Sequence, residues 1–398
     1  MIARAPARRT VAIVTGTRAE YGLLLPVMLA VQKHKKLELR VIAAGAHFLP
    51  PARTIREVES AFAIAARVPM QSGMPVLRAG SSRLADAAAL GRGISGFARA
   101  FATLEPDWIV VLGDRTEAFA AASAASIAGI AVCHIHGGDR AEGIADEAMR
   151  HAITKLSHLH CAATKLSAGR IIRMGEKLEH VHVTGSPAID GLSRTKPMSN
   201  AEAAKYGDPK VVVLLHPAGL RDEDELEWAR HAFGIAGVLG GTQSELEVKQ
   251  GRRVLLLMPN SDPGRDSIVR VWRRTTGTGG KIIDHLPRPM FVALLKRLAV
   301  HSGVLIGNSS AGLIEACALG VRVMNLGPRQ AGREHGHNVV HVARPDKPSI
   351  LQAMRRVQEL RPCPDHRFGD GRASPRIASL LARIDPHASA ILRKHNTY

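Results

Sequence analysis

Short apolar runs alternate with longer segments of helical periodicity along the whole chain. A run of roughly 4–8 apolar residues between turn-forming residues is typical of a buried strand, and apolar residues spaced by three and four are typical of a helix. The predicted strands are 11–15, 39–43, 108–112, 130–135, 180–184, 211–215, 254–258, 281–283, 304–306, 321–325 and 339–342. The clearest predicted helices are 83–103, 116–128, 290–300 and 311–319. This alternation predicts an α/β fold built on parallel sheets.

A polar stretch near the middle of the chain divides these elements into two halves of similar length. It covers residues 191–205 and contains Pro and Ser, which is typical of a linker between domains. The predicted domains are therefore 1–190 and 191–374, followed by a C-terminal segment, 375–398. Helical spacing predicts a helix in that segment from Ile377, Leu380, Leu381 and Ile384. A substrate is expected in the cleft between two such domains.

The composition narrows the class of partner. The chain has 398 residues, a formal net charge of +19 and 45% hydrophobic residues, which is ample for two globular domains. A nucleic-acid-binding protein would cluster its basic residues and interleave aromatic ones, but here the arginines are scattered and only 4% of the residues are aromatic. The charge therefore indicates a solvated basic surface or attraction of an anionic small-molecule substrate, and no nucleic-acid partner is expected.

The cysteines and the N-terminus indicate a cytoplasmic protein. The four cysteines are Cys133, Cys161, Cys317 and Cys363, and none of them forms a CxxC pair. The first three lie in apolar patterns, so they are predicted to be small core residues in a reducing compartment. The apolar run 11–14 is too short for a signal sequence, and no window reaches the ~18 apolar residues of a membrane helix. No membrane association is expected.

Acids, histidines and arginines follow two of the predicted strands. The strand 108–112 is followed by Gly-Asp-Arg with Asp114, and the strand 130–135 by His-Gly-Gly-Asp with His136. The loop beyond carries Asp146 and Glu147. Because ligands bind at the carboxyl ends of parallel strands, these residues are expected to line one site. Asp114 is interpreted either as the N-cap of the next helix or as a catalytic carboxylate beside other acids. The histidines do not form an HExxH motif, so no catalytic metal is expected.

Two segments are candidates for binding phosphate. TGTRAEYG (15–22) follows the first strand and places Arg18 at the start of a helix. GNSSAGLIEA (307–316) follows another strand, and its small residues allow backbone N–H groups to approach a diphosphate at a helix N-terminus. In that segment the Glu315 carboxylate is expected to accept hydrogen bonds from ribose hydroxyls. The chain has neither a GxGxxG nor a Walker lysine motif, so nicotinamide and P-loop nucleotide sites are not expected.

Four further polar residues are expected to face the same cleft. His216 in LLHP and His285 in DHLP follow predicted strands. Asn260 in MPNSD and Arg329 in LGPRQAGRE are candidates for sugar or phosphate contacts. For a single arginine, solvent exposure is the competing interpretation.

Taken together, these motifs resemble the hydrolysing UDP-N-acetylglucosamine 2-epimerases, which supply N-acetylmannosamine-like sugars to sialic acid and related nonulosonic acid synthesis. GTRAEYG, LGDRTEAF, HIHGGD, DEAMRHAITKLSHLH, GSPAID, LLHP, MPNSD, IGNSSAGLIEA and LGPRQAGRE occur in the family's order through almost the whole chain. The resemblance implies the GT-B fold, with two Rossmann-like domains, UDP in the cleft and a C-terminal helix that crosses back to the first domain. It also implies a homodimer or homotetramer that uses no cofactor.

The resemblance implies a two-step reaction on UDP-N-acetylglucosamine or UDP-2,4-diacetamido-2,4,6-trideoxyglucose. UDP and the C2 proton leave by anti elimination to give a 2-acetamidoglucal, and water then adds to give the free manno sugar. By similarity, the catalytic residues are Asp114, His136, Asp146, Glu147 and His216. The UDP contacts are Arg18, Arg115, Asn260, His285, Ser309, Ser310, Glu315 and Arg329. Some relatives have Glu at position 136, and Glu is frequent at position 139, so the base is left open among the acids.

Three other functions compete with this prediction. A non-hydrolysing epimerase would return a UDP-sugar instead of releasing UDP. A GT-B UDP-sugar glycosyltransferase would need an acceptor site and would not need the acids of 114–147. A nucleic-acid-binding or scaffold protein is suggested by the charge alone, and it would show strongly salt-dependent binding to random DNA.

Overall fold

The computed structural model describes residues 8–49, 54–71, 83–140, 146–240, 253–260, 262, 264–274 and 280–397. The chain divides into two compact units. Unit 1 contains the described residues within 1–139, 145–190 and 369–398, and unit 2 contains those within 140–144 and 191–368. The division after residue 190 lies where the linker is predicted to begin. The C-terminal boundary differs from the predicted one, because residues 369–374 belong to unit 1 rather than to the second domain.

The described strands are β1 Arg9–Thr15, β2 Leu37–Ala44, β3 Ile64–Val68, β4 Trp108–Leu112, β5 Ala131–Ile135, β6 Leu159–Ala162, β7 Val181–Val183, β8 Val211–Leu214, β9 Val254–Leu257, β10 Lys281–Ile283, β11 Val304–Gly307, β12 Arg322–Leu326 and β13 Val339–Val342. The described helices are α1 Arg18–Lys33, α2 Ile55–Ala61, α3 Arg83–Leu104, α4 Thr116–Ile127, α5 Asp146–Leu156, α6 Lys165–Arg173, α7 Asn200–Lys205, α8 Asp222–Leu239, α9 Arg265–Arg274, α10 Arg288–Val300, α11 Ser310–Leu313, α12 Glu315–Leu319, α13 Lys347–Glu359, α14 Ala373–Arg383 and α15 Ser389–Leu392. All eleven predicted strands are present, whereas β3 and β6 were not predicted.

Each unit is built on one parallel sheet. The strand order is β3-β2-β1-β4-β5-β6-β7 in unit 1 and β10-β9-β8-β11-β12-β13 in unit 2. In both sheets the order reverses beside the first strand, between β1 and β4 and between β8 and β11. Ligands bind outside the carboxyl ends of the strands at such a reversal. The predicted α/β class, with a Rossmann-like parallel sheet in each half, is therefore confirmed.

Buried strands explain why the apolar pattern is continuous rather than alternating. In β1, Val11 and Ile13 belong to one hydrophobic cluster, whereas Ala12 and Val14 belong to the cluster on the opposite face. Successive side chains of a strand point to opposite faces, and parallel sheets are covered by helices on both. Every residue of β4 and β5 is also buried. The backbone that carries the candidate site in unit 1 is thus fixed by packing on both faces of its sheet.

The C-terminal segment packs within unit 1. Leu381 of α14 lies in the same hydrophobic cluster as Leu24 of α1. The helix α14 takes its N-terminal cap from a distant residue, because the Asp190 carboxylate accepts hydrogen bonds from Ala373 N–H (3.0 Å) and Ser374 N–H (2.6 Å). The first N–H groups of a helix have no partner inside it, so this cap fixes the start of α14 beside the end of the first unit's main segment.

A buried carboxylate anchors the chain beyond α14. Glu176 accepts from Lys394 Nζ (2.7 Å) and the His160 ring (3.0 Å), and it forms an ion pair with Lys155 Nζ (2.7 Å). Burial alone would raise the pKa of Glu176, but these hydrogen bonds outweigh burial and lower the pKa to about 2. Two positive charges and one imidazole on a single acid keep it ionised and tie Lys394 to unit 1.

The predicted linker is partly structured. Residues 192–194 form a 3₁₀ turn, and α7 begins inside the stretch. Ser199 and Glu202 form a capping box at the start of α7, in which each side chain bonds the other residue's backbone N–H. The Ser-Asn-Ala-Glu sequence is therefore a helix start rather than a continuation of the linker.

Two expectations from composition can be compared with the described residues. Cys133, Cys161 and Cys317 are buried free thiols, as predicted, and Cys363 is exposed. In the described part of the chain, no helix combines the length and the apolar character needed to cross a bilayer.

Candidate active site

The turn after β1 supports Arg18 at the first position of a sixteen-residue helix. The Thr17 side chain accepts from Glu20 N–H and caps α1, and the Glu20 carboxylate accepts from Gly16 N–H at 3.0 Å. Arg18 is half-buried at this N-terminus. Burial lowers the pKa of Arg18, but a guanidinium stays charged. The predicted anion-binding group is thus held at the positive end of a long helix.

Two buried acids lie beneath this turn. The Glu117 carboxylate accepts from Ala46 N–H at 3.1 Å, and its other oxygen lies 4.0 Å from Arg115 Nε. A Cβ on Gly16 would lie 2.5 Å from the Glu117 side chain, so glycine leaves the space that this acid fills. Burial, with a smaller contribution from the Glu117 charge, raises the pKa of Glu20 to about 8. Glu20 was not predicted as a site residue, because a helix-start glutamate is common at any surface helix.

Asp114 follows β4 and forms an ion pair with Arg150 of α5. The Asp114 side chain is 20% exposed and that of Arg150 is 3% exposed. Asp114 does not cap α4, because the N-cap position is Arg115 and no side chain bonds the helix start there. The capping interpretation of Asp114 is therefore wrong. Its carboxylate is instead held at the strand end by a buried guanidinium.

His136 lies in a buried hydrogen-bond network. Its Nδ1 is 2.9 Å from Asp139 Oδ2, and its Nε2 is 2.9 Å from Ser186 Oγ. Ser167 Oγ donates to the other oxygen of Asp139 at 2.8 Å. The backbone of His136 has a φ of +63°, a left-handed conformation that only tertiary contacts make favourable for a non-glycine residue. Both ring nitrogens are therefore engaged, one with a carboxylate and the other with a hydroxyl.

The helix α5 connects these groups. Arg150 Nη1 donates to the Asp139 carbonyl at 3.0 Å while Nη2 contacts Asp114, so one side chain links the ends of β4 and β5. Glu147 lies three residues earlier on the same helix, and its carboxylate is 3.4 Å from His151 Nε2. Asp146 is the first residue of α5, and its side chain lies outside the described residues. Arg150 was not among the predicted site residues.

In unit 2, His216 follows β8 and is fixed on three sides. Its N–H donates to Asn308 Oδ1 (2.7 Å), its carbonyl accepts from Asn308 Nδ2 (2.8 Å), and its ring Nδ1 accepts from Asn260 N–H (3.2 Å). Burial, and then the charge of Arg329, lower the pKa of His216 to about 3. The imidazole is neutral at physiological pH, with its proton on Nε2 because Nδ1 accepts a hydrogen bond.

The remaining UDP candidates surround the end of β11. Arg329 Nη1 donates to the Asn308 carbonyl at 3.1 Å. Ser309 is the N-cap of α11 and Ser310 is its first residue. The Glu315 carboxylate accepts from Arg288 Nη1 at 3.0 Å and is almost fully buried. His285 follows β10 and is half-buried.

The continuous helix predicted for 311–319 is not present. The segment forms the four-residue α11 and the five-residue α12, separated at Ile314. Sequence periodicity did not predict this break, because the apolar spacing continues through it. A helix of one turn has little macrodipole, so the expected attraction of a diphosphate to a long helix end does not apply here.

The structure thus forms two groups of candidates. Unit 1 joins Asp114 to the Asp139 backbone through Arg150, and Asp139 in turn holds His136. Unit 2 joins His216 to Asn260 and, through Asn308, to Arg329. Among the residues that the structure describes, no three His, Cys, Asp or Glu side chains are grouped as a metal site would require.

The sequence profile of the UDP-N-acetylglucosamine 2-epimerase family matches residues 29–382. The chain belongs to this family. It is 34% identical over 398 aligned positions to the UDP-N,N'-diacetylbacillosamine 2-epimerase (hydrolyzing) of Legionella pneumophila, and the match covers 98% of this chain and all of that protein. It is 31% identical to a UDP-N-acetylglucosamine 2-epimerase of Neisseria meningitidis, over 82% of both chains. The resemblance inferred from the motifs is confirmed.

The fold agrees with that of this epimerase family. The crystal structure of the UDP-GlcNAc 2-epimerase from Neisseria meningitidis bound to UDP-GlcNAc gives a TM-score of 0.74, covering 94% of this chain and all of that one. The sequence identity in this comparison is 21%, so the similarity concerns the fold. The predicted GT-B class is confirmed.

Proposed function

We propose that this epimerase acts by hydrolysis, converting UDP-2,4-diacetamido-2,4,6-trideoxyglucose to UDP and the free 2-epimeric sugar in nonulosonic acid synthesis. The observation that carries the proposal is the Asp114 carboxylate, held by Arg150 beside the His136–Asp139 network at the ends of β4 and β5. A glycosyltransferase on the same fold would not need this set of acids. The epimerase needs it, because a proton must leave C2 and water must be activated.

The physical demands of the reaction define the roles. The C2 proton of a sugar nucleotide is not acidic, so departure of UDP must be well advanced before that proton is removed. The C1–oxygen bond to UDP breaks, a carboxylate takes the C2 proton, and a C1–C2 double bond forms. Asp114 and Glu147 are our candidates for this carboxylate, and Asp146 remains a third. Water then adds its oxygen to C1 and a proton is delivered to C2 on the opposite face.

The departing diphosphate carries negative charge that positive groups must stabilise. In unit 1 we assign this role to Arg18 and Arg115. In unit 2 we assign it to Arg329, with His216 as a neutral Nε2–H donor rather than an acid. Further UDP contacts are proposed for Asn260, His285, Ser309, Ser310 and Glu315.

The proposed sugar follows from the relative that aligns over its whole length. The Legionella protein, whose name specifies hydrolysis and a 2,4-diacetamido sugar, matches this chain end to end, whereas the Neisseria UDP-N-acetylglucosamine 2-epimerase matches 82% of it at lower identity. We therefore favour the 4-acetamido sugar over UDP-N-acetylglucosamine. A cytoplasmic location and assembly into a homodimer or homotetramer remain predictions from the family resemblance.

Proton NMR in D2O with each of the two UDP-sugars tests the proposal. We expect free UDP and a C2-deuterated manno sugar from the diacetamido substrate. Deuterated UDP-sugar without free UDP would identify a non-hydrolysing epimerase instead. Turnover of UDP-N-acetylglucosamine alone would reject the proposed sugar. No reaction with either substrate would favour a transferase that needs an acceptor.

Substitution separates a catalytic Asp114 from a structural one. We expect Asp114→Asn to lower kcat by a factor on the order of 10² or more while UDP still binds, because a positioned acid–base group is lost. The matched control is Asp370→Asn, which removes a carboxylate whose ion pair with Arg376 is about half exposed. Near-normal turnover in Asp114→Asn would exclude Asp114 from the proton transfers.

A further inference from the structure

Two neighbouring strands of unit 2 end side by side, at His216 and Asn308. The parallel strands β8 and β11 pair up to Leu214 and Gly307. Asn308 N–H then donates to the Leu214 carbonyl at 3.3 Å. A Cβ on Gly307 would lie 2.0 Å from the Leu214 oxygen, so the strands approach this closely only because position 307 is glycine.

The Asn308 side chain extends this pairing by one more step. Its Oδ1 accepts from His216 N–H at 2.7 Å, and its Nδ2 donates to the His216 carbonyl at 2.8 Å. Asn308 is 3% exposed, so its side-chain amide is buried, whereas His216 is half-buried. A side-chain amide supplies one donor and one acceptor at this spacing, which neither a carboxylate nor a hydroxyl does.

The backbone of the same residue orients the next loop. The Asn308 carbonyl accepts from Arg329 Nη1 at 3.1 Å and from Gln330 Nε2 at 2.9 Å. Gln330 is buried. One residue therefore contacts both the histidine and the arginine that we assign to the UDP half of the substrate, although Asn308 and His216 are 92 positions apart in the chain.

We propose that Asn308 is a positioning residue that presents His216 and Arg329 together. Its side chain fixes the backbone of His216, so that the ring meets Asn260 N–H through Nδ1 and offers a neutral Nε2–H. Its carbonyl fixes the Arg329 guanidinium. The inference rests on the proposed function, because the substrate group that receives these donors is taken to be the diphosphate of the UDP-sugar.

The first readout is the tautomer of His216, which requires no turnover. Histidine ring ¹⁵N NMR of the full-length protein, assigned with His216→Asn, should show for His216 a protonated Nε2 and an unprotonated Nδ1 that do not titrate between pH 5 and 8. We expect Asn308→Ala and Asn308→Asp to give mixed tautomers or a titrating ring. The aspartate should perturb the ring more, because its carboxylate faces the His216 carbonyl.

The second readout is the affinity for UDP, measured by calorimetry. We expect both Asn308 variants to weaken UDP binding by at least about tenfold, the loss that follows when a hydrogen bond to a charged group is misplaced. The control is Asn338→Asp. Asn338 is similarly buried in unit 2, and its Nδ2 donates to the Val321 carbonyl at 2.9 Å, so we expect this variant to have a comparable folding defect. The control should leave the His216 signals unchanged and UDP affinity within about twofold.

An unchanged His216 tautomer in folded Asn308→Ala would overturn the proposal, and so would a wild-type His216 that titrates between pH 5 and 8. If Asn308→Asp does not fold, Asn308→Ala and Asn308→Ser decide the same question. A protein that binds no UDP at all would contradict the proposed function, but the histidine tautomer would still test the role of Asn308.

Discussion

The buried ion pair between Asp114 and Arg150 makes a quantitative prediction about unit 1. Replacing Arg150 with methionine leaves a mostly buried carboxylate without this counter-charge. It also removes the hydrogen bond from Arg150 Nη1 to the Asp139 carbonyl. We therefore expect Arg150→Met to destabilise unit 1 far more than a substitution in a surface ion pair does.

The magnitude follows from the burial of the two partners. Removing one member of a buried ion pair costs roughly 3–5 kcal/mol, because the other charge stays desolvated. Asp114 retains 20% of its side-chain exposure, so water relieves part of this cost and we expect about 3 kcal/mol. At 1.36 kcal/mol per tenfold change, a cost of about 3 kcal/mol is roughly a 150-fold increase in the equilibrium constant for unfolding of unit 1. Adding Asp114→Asn removes the stranded charge, so the double variant should recover on the order of 1–2 kcal/mol.

Native-state hydrogen exchange measures the loss of stability separately in each region, which suits a chain with two compact units. Amides of β4 and β5 report on unit 1, and those of β8 and β11 provide the internal control. Arg376→Met is the matched surface control, because its partner Asp370 is 53% exposed, and it should cost less than about 1 kcal/mol. Less than about a threefold change in β4 protection in Arg150→Met would refute the reasoning. Single-variant effects that add in the double variant to within about 0.5 kcal/mol would also refute it.

Three further predictions concern stability. Glu176→Gln should destabilise unit 1 by roughly 3 kcal/mol at pH 7 and by less at low pH. The reason is that a carboxyl with a pKa near 2 stabilises the fold above about pH 4.5, and this stability is lost as pH falls toward 2. Urea unfolding at pH 7 and pH 3 measures the two free-energy differences. Glu20→Gln should stabilise unit 1 at pH 8 by at least about 1 kcal/mol. An acid with a pKa near 8 binds a proton on folding, so the wild-type protein loses stability as pH rises from about 4.5 to 8. A free energy of unfolding that depends more steeply on pH in the variant than in the wild type would contradict this. Asp190→Ala should cost about 1 kcal/mol and speed exchange at the Ala373 and Ser374 amides that it caps; unchanged exchange there would exclude the cap.

The fold was largely predictable because buried parallel strands are continuous apolar runs. The strands at the centre of each sheet, such as β1, β4 and β8, were predicted for this reason. β3 is an edge strand with only one fully buried residue, and β6 has four residues, one of them His160. Neither gives a clear period-two or apolar signal, so both were missed. Sheet order could not be derived from apolar runs, because it depends on which crossover helix covers which face.

The candidate site was predictable to the level of strand ends but not of side-chain partners. Chain order places Asp114 and His136 after neighbouring strands, and the parallel-sheet rule brings such ends together. The partners are different, because Arg150 and Asn308 make contacts between distant segments. Arg150 lies one helical turn after Glu147, so helical periodicity places both near one face of α5. No pattern in the sequence specifies that Asn308 bonds the backbone of His216.

The break between α11 and α12 shows how such local structure changes the chemistry expected of the site. Had residues 311–319 formed one helix, its N-terminal dipole would have been a principal partner for the diphosphate. With only one turn after Ser309, the dipole is small, and the negative charge that develops on departing UDP must be stabilised by guanidinium groups. Arg329, to which we assign this role, donates from its guanidinium to the Asn308 carbonyl. Electrostatic stabilisation depends on donors that are oriented before the charge appears. We therefore expect the leaving-group stabilisation of this enzyme to depend more on how Arg329 is held than on the glycine- and serine-rich segment that first suggested a phosphate site.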